Sequence, residues 1–263
     1  MKTRQPIRAV LLDWAGTTVD YGSRAPVEVF VEIFRRMEVE ITAAEAREPM
    51  GRAKRDHIAS IASLPRVAAK WRQRFGRDAI DADIDRMYQE FLPLQLETLQ
   101  RIGSEVISGI ANAVAKLRSM GLKIGSSTGY THELMDVVAP LAARDGYDPD
   151  VIVCAGDTPA GRPAPWLNFL AAQKLNVYPM ASVLVVDDTT VGVAAGLNAG
   201  SPTIAVTKTG NAMGLSEAEV LALPADELRS RLAKIEADFL AQGAHFVIQS
   251  VAELPELLRR EFQ

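Results

Sequence analysis

IRAVLLDWAGTTVD, residues 7–20, opens with a short apolar run, passes through Asp13 and reaches Gly16 in a polar stretch. A run of that length, closed by a carboxylate and a glycine, predicts a buried strand whose carboxyl end opens into a loop. Five later segments repeat the pattern: LKIGSS around Ile124, DVIVCA around Val153, SVLVVDD around Val185, PTIAV around Ile204 and HFVIQS around Val247. Helical periodicity lies between them in HELMDVVAPLAARDG, APWLNFLAAQKLN and VGVAAGLNAG. Strand and helix in alternation imply an α/β fold, a mainly parallel sheet covered on both faces with right-handed crossovers.

The stretch from Arg24 to Arg101 departs from this pattern, because apolar residues there recur at helical spacing and no strand-like run interrupts them. One helix carries Val27, Phe30, Val31 and Phe34, a later one Ile58 and Ile61, and another Met87, Phe91 and Leu94, with Pro65 and Gly76 as punctuation. Hinges are expected at Tyr21-Gly22-Ser23 and Ile102-Gly103-Ser104. The expected division is therefore 1–22 with 103–263 as an α/β core, and 23–102 as an inserted helical cap. The tail from about Ser216 supplies helices, a strand near Phe246 and a closing helix with Leu254, Leu257 and Leu258, read as completion of the fold.

With 263 residues and 48% hydrophobic side chains the chain can bury a large core. A net charge of -4 supplies no field that would gather nucleic acid or anionic lipid. The four-residue apolar run Ala9 to Leu12 is too short for a secretion signal or a membrane span, so a cytoplasmic protein is expected. Cys154, the single cysteine, sits in the apolar run VIVCA and reads as a strand residue rather than a reactive thiol.

Ligands of an open parallel sheet bind beyond the carboxyl ends of its strands. The residues there form one set: Asp13 to Thr18, Ser126 to Tyr130, the loop with Gly161-Arg162-Pro163, and Asp187-Asp188-Thr189. Asp13 and Asp188, from separate strands, could hold one magnesium ion, which prefers hard oxygen ligands. Such an ion offsets the repulsion a carboxylate meets when it attacks a phosphorus dianion. Thr128, the backbone amides of the Ser-Thr-Gly turn and the Arg162 guanidinium would bind the remaining phosphoryl oxygens.

DxxGTTxD after the first strand, Ser/Thr-Gly after the second, then a basic loop residue and an acidic pair resemble the haloacid dehalogenase superfamily. The resemblance covers nearly the whole chain and implies a Rossmann-like core with a helical cap after the first motif. It also implies an aspartyl-phosphate formed on Asp13. A dinucleotide-binding Rossmann fold is the alternative, but DWAGTT stands where GxGxxG belongs. Most phosphatases of the superfamily carry a second aspartate two residues after the nucleophile, as a general acid. Here that position is Ala15, so an ordinary phosphate ester would lack its proton donor.

A substrate with a carbon leaving group needs an electron sink instead, such as the imine of a lysine with a neighbouring carbonyl. Met50-Gly-Arg-Ala-Lys54-Arg-Asp-His57 offers one, and its spacing predicts Met50, Lys54 and His57 on one face of a helix. Arg52, Arg55, a protonated His57 and burial under the cap would all favour loss of the Lys54 proton. MGxxKxDHI, with DWAGTTVDYGSxAPV, TGYT and GRPAPW, is similar to the phosphonatase branch of the superfamily. That resemblance implies hydrolysis of the C–P bond of phosphonoacetaldehyde to acetaldehyde and phosphate, in 2-aminoethylphosphonate degradation. It assigns imine formation to Lys54 and nucleophilic attack to Asp13. Magnesium falls to Asp13, Asp188 and the Ala15 carbonyl, and phosphate binding to Thr128, Gly129 and Arg162. Met50 and His57 take part in proton handling and imine orientation, while Gly51, Tyr130 and Ser23 line the substrate. Ser23 replaces a cysteine of some members. Asp187 stands where a glycine can precede the metal ligand, and Asp188 is favoured because the following threonine keeps the register. A homodimer is implied as well.

Two other readings compete. A phosphatase or sugar-phosphate mutase acting on a small phosphate ester would share the fold, against the objection at Ala15. A nucleic-acid-binding protein would use Arg66, Lys70, Arg72, Arg74 and Arg77, although such a row is ordinarily a solvated helix face.

Overall fold

The apolar run before Asp13 forms β1 (Ala9–Leu12). The computed structural model describes residues 6–102 and 104–262. Five helices follow β1: α1 (Arg24–Arg36), α2 (Ala43–Arg47), α3 (Lys54–Ser63), α4 (Pro65–Phe75) and α5 (Asp81–Arg101). The alternating part then runs α6 (Ile110–Ser119), β2 (Lys123–Ser127), α7 (His132–Arg144), β3 (Val151–Val153), α8 (Trp166–Lys174), β4 (Val183–Asp187), α9 (Thr190–Asn198) and β5 (Thr203–Val206). The chain finishes with α10 (Glu217–Ala222), α11 (Ala225–Gln242), β6 (Phe246–Ile248) and α12 (Leu254–Glu261). All six predicted strands are present. Ser126, Ser127 and Asp187 lie inside β2 and β4 rather than beyond them, because the parallel ladders continue through Ser127↔Val153 and Asp187↔Ala205. Gly103, expected at the second hinge, lies outside the described residues, as do 1–5 and 263.

The strands form one parallel sheet in the order β3-β2-β1-β4-β5-β6. Side chains alternate across it. Val10 and Leu12 face a core shared with α6, α7 and α12, while Ala9 and Leu11 face a second core under α8. Chain order reverses direction at β1, which is flanked by β2 and β4 with Leu12 in register with both Ser126 and Val186. Asp13 therefore emerges between the ends of β2 and β4, at the switch point where such sheets bind ligands.

The helical segment has its own core, with Phe30, Ile33 and Phe34 of α1 against Ile58 and Ile61 of α3, Trp71 of α4, and Met87 and Phe91 of α5. Each such side chain, fully buried, stabilises by about 1.5–3 kcal/mol. Pro65 begins α4 and Gly76 ends it in the left-handed conformation, as punctuation requires. Ser23, before α1, is left-handed and caps nothing with its side chain. Buried Asp20 does so instead, accepting the amides of Arg24 and Ala25 at 3.0 Å each. Burial outweighs those bonds and pushes the Asp20 carboxyl up to about 7. Among the described residues no helix is long and apolar enough to cross a membrane.

Candidate active site

The loop after β1 owes its shape to the residues of GTT. Three successive amides, Thr17, Thr18 and Val19, converge on the Trp14 carbonyl. The Thr18 hydroxyl donates to the Asp13 carbonyl at 2.8 Å, and the Thr17 hydroxyl donates to Asp188 Oδ1 at 2.9 Å. Gly16 passes under Asp188 with φ +87°, and a β-carbon there would lie 2.1 Å from Asp188 Oδ2. The motif thus ties the first strand's aspartate to the fourth strand's.

Asp13, Asp187 and Asp188 are all buried, with carboxylate oxygens within 4.8 Å of one another. Arg162 answers part of that charge, 2.7 Å from Asp13 Oδ1 and 3.1 Å from Asp187 Oδ2, while donating to the Ser127 carbonyl at 2.6 Å. Asp187 Oδ1 also accepts the Thr189 amide and hydroxyl, at 2.9 and 2.7 Å. Asp188 Oδ2 accepts the Asn211 amide at 2.6 Å.

Above these carboxylates is a small cavity of about 20 Å³ lined by Asp13, Ala15, Ser23, Met50, Gly51, Lys54, Thr128, Gly129, Tyr130 and Arg162, and also by Pro26, Arg52 and Thr189. Lys54, at the first turn of α3, is only 5% exposed. Its ammonium lies 5.1 Å from the Tyr130 ring centroid and 5.5 Å from those of Phe30 and Phe91. Two residues and one turn depart from expectation. Met50 is not on the face of a helix with Lys54, because Gly51 turns at φ +93° and α3 begins only after Ala53. His57 does not line the cavity: its ring stacks behind Phe30 at 3.8 Å and Nε2 meets the Ala46 carbonyl at 2.8 Å. The amides of the Ser-Thr-Gly turn are largely committed, Thr128 N to the Val153 carbonyl and Tyr130 N to Thr128 Oγ1. Among the described residues, Gly129 N and the Thr128 hydroxyl proton remain for a ligand. Arg162, expected on phosphoryl oxygens, lines the same cavity and pairs with Asp13 and Asp187.

Residues 7–200 match the haloacid dehalogenase-like hydrolase family. A phosphonoacetaldehyde hydrolase of Syntrophobacter fumaroxidans is 46% identical over 253 residues, 96% of this chain and 91% of its own length. One from Bacillus cytotoxicus is 45% identical over 252 residues, 96% of this chain and 95% of its own. The chain belongs to the phosphonoacetaldehyde hydrolase family of haloacid dehalogenase-like hydrolases. The crystal structure of a phosphonoacetaldehyde hydrolase-like protein from Oleispira antarctica superposes with a TM-score of 0.95 at 38% identity, covering 99% of this chain and 94% of that one.

The electrostatics of this phosphonoacetaldehyde hydrolase family site follow from burial. Burial lowers the Lys54 pKa to about 8; Asp13 opposes the shift and Arg162 adds to it. The neighbours expected to depress it do not: Arg55 is ion-paired outward with Asp81 and Asp85, and His57 is itself neutral, held well below the usual imidazole value by burial and by the charge of Lys54. Burial and Asp13 push Asp187 up to about 6 against the pull of Arg162. Asp188 is raised well above its ordinary value by burial, then by Asp13 and Asp187. Three crowded carboxylates against one guanidinium form a donor set suited to a hard divalent cation. Cys154, expected within the strand, lies just past the end of β3, and burial pushes its thiol up to about 12.

Thr17, Asp20 and Thr189, which the sequence places in the motifs without assigning them a role, shape the site. Gly51 is a further constraint. A β-carbon there would lie 2.5 Å from Thr189 Oγ1 and 2.6 Å from Val191 Cγ2, so only glycine lets the segment before Lys54 rest on the core. Gly51→Ala is expected to lower kcat/KM by about 10²-fold, since misplacement by an ångström costs that much. Steady-state kinetics beside far-UV circular dichroism would check it, the helix signal staying unchanged.

Proposed function

We propose that the protein hydrolyses the C–P bond of phosphonoacetaldehyde, releasing acetaldehyde and phosphate. The observation that carries this reading is a buried, aromatic-caged lysine opening onto the same cavity as Asp13, with alanine at position 15 where a general acid would serve an ester. The curated relatives' names point to the same substrate.

Neutral Lys54 attacks the aldehyde carbon and water leaves, giving an imine. Asp13 then attacks phosphorus; the C–P bonding pair forms a C=C bond as the C=N π pair moves onto the protonated imine nitrogen, giving an enamine. Protonation at carbon and hydrolysis return acetaldehyde and free Lys54, and water cleaves the acyl phosphate to return Asp13. The rings of Phe30, Phe91 and Tyr130 exclude water from the amine and stabilise the cationic imine through their faces. Gly129 N and the Thr128 hydroxyl supply donors for phosphonate oxygens, and Arg162 can release Asp13 toward phosphorus while keeping Asp187. Met50, Ser23 and Tyr130 line the same cavity and bound the space around Lys54. His57 acts here through Phe30, as a support for the cage.

A magnesium ion held by Asp13, Asp188 and the Ala15 carbonyl would offset the repulsion between the Asp13 carboxylate and the phosphonate dianion. Asp188 is assigned rather than Asp187, because Asp187 is already paired with the Arg162 cation, whereas among the described residues Asp188 accepts only from the neutral donors of Thr17 and Asn211. The free, buried Cys154 fits a reducing compartment such as the cytoplasm. A homodimer finds support in the exposed aromatic side chains of Trp166, Phe169 and Tyr178 on the core. The basic row along α4 and the turn after it carries no argument for nucleic acid. Arg66, Lys70, Arg72, Arg74 and Arg77 pair with Glu45, Glu40, Asp78, Glu38 and Asp83.

Borohydride added with phosphonoacetaldehyde should inactivate the enzyme and mark Lys54 in a peptide mass map. Because the amine is half neutral near pH 8, the trapping rate should rise roughly tenfold per pH unit below that value and level off above it. A rate that kept climbing to pH 10 would mean a solvated lysine, and labelling at any other lysine would remove Lys54 from the reaction.

A further inference from the structure

We propose that Arg47 is a positioning residue that latches the helical segment onto the core and, through Asn211, couples that closure to the Asp188 carboxylate. Arg47 stands at the end of α2, yet its guanidinium spends its donors elsewhere. It donates to the carbonyls of Gly22 at 2.7 Å and Ser23 at 3.2 Å in the segment leading into α1. It also donates to Asn211 Oδ1 and to the Gly214 carbonyl, each at 3.0 Å, in the loop after β5. Asn211 answers from the other side, with Nδ2 donating to the Arg47 carbonyl at 3.2 Å and its backbone amide donating to Asp188 Oδ2 at 2.6 Å. Two residues therefore join α2 to a carboxylate of the active site.

The chemistry of the joint requires arginine. A planar guanidinium has five N–H donors in fixed directions and here addresses four acceptors on two chain segments, one more than the three donors of an ammonium can satisfy. None of these contacts helps α2 to fold, since each crosses from the helical segment to the linker or the core. The linkage is reciprocal: whatever fixes Asp188 against Asn211 favours the docked position of Arg47, and docking in turn steadies Asp188. A cation on Asp188 should thus favour closure of the segment that carries Lys54, seven residues beyond Arg47. This inference rests on the reading of Asp13 and Asp188 as a cation site.

The test measures hydrogen exchange by mass spectrometry across residues 43–50, with and without Mg2+, and Mg2+ binding by calorimetry. Three proteins are compared: the unaltered protein, Arg47→Lys and Asn211→Ala. In the unaltered protein Mg2+ should slow exchange at 43–50. Both variants should lose that response and bind Mg2+ about tenfold more weakly, within the usual range of coupling between sites. Asn211→Ala breaks the link without changing any residue of α2, and the exchange comparison on the unaltered protein needs no variant at all. Mg2+ binding with no change in exchange, or either variant retaining full Mg2+ affinity, overturns the latch alone. Failure of the unaltered protein to bind Mg2+ overturns the cation-site reading and the latch with it.

Discussion

Lys54→Arg is expected to lower acetaldehyde release from phosphonoacetaldehyde by roughly 10⁴-fold or more, the scale seen when a residue of a covalent catalytic unit is removed. Arginine keeps the positive charge and can still lie against Phe30, Phe91 and Tyr130, so the cage and the charge near Asp13 survive. It cannot become neutral at any ordinary pH and cannot form the imine. Without that electron sink the C–P bonding pair has nowhere to go, and Asp13 faces a substrate whose leaving group would be a carbanion. Acetaldehyde release coupled to NADH oxidation by an alcohol dehydrogenase reads the loss directly. Borohydride should no longer inactivate the variant. Turnover within about tenfold of the unaltered enzyme would show that the lysine contributes charge and not covalent chemistry.

Asp13→Asn should lower phosphate release by a comparable factor, roughly 10⁴-fold, yet leave the first step intact. The amide is nearly isosteric and can still accept from Arg162, whose other bonds to Asp187 and Ser127 hold it in place. What is lost is the nucleophile. Lys54 lines the same cavity and keeps its burial, so borohydride trapping with phosphonoacetaldehyde should persist in this variant. Loss of trapping together with turnover would mean that Asp13 serves the imine step. Normal phosphate release would remove it as the nucleophile.

The fold was legible because its signals are local. Six short apolar runs became six strands, and helical spacing marked α1, α3 and α5. α6 was less visible, since IANAVAKLRS packs mostly through Ile110, Val114 and Leu117 among alanines. The site was legible where strand ends converge, so Asp13, Thr128, Arg162 and Asp188 could be grouped from order alone. What failed depended on backbone direction and burial. A helix drawn through Met50 ignored the left-handed turn at Gly51. Arg55 sits one residue from Lys54 but points at α5. His57 lies about 60° round α3 from Lys54, and its ring backs Phe30 instead of reaching the cavity. Arg47 and Asn211 meet across 164 residues, a pairing with no local signature.

The most direct measurement is the yield of acetaldehyde and of phosphate from phosphonoacetaldehyde, with and without Mg2+, beside a panel of small phosphate esters. Equal, Mg2+-dependent release of the two products, with little phosphate from the esters, is the predicted result. Phosphate from the esters alone would contradict it, leaving Asp13 its role and Lys54 none.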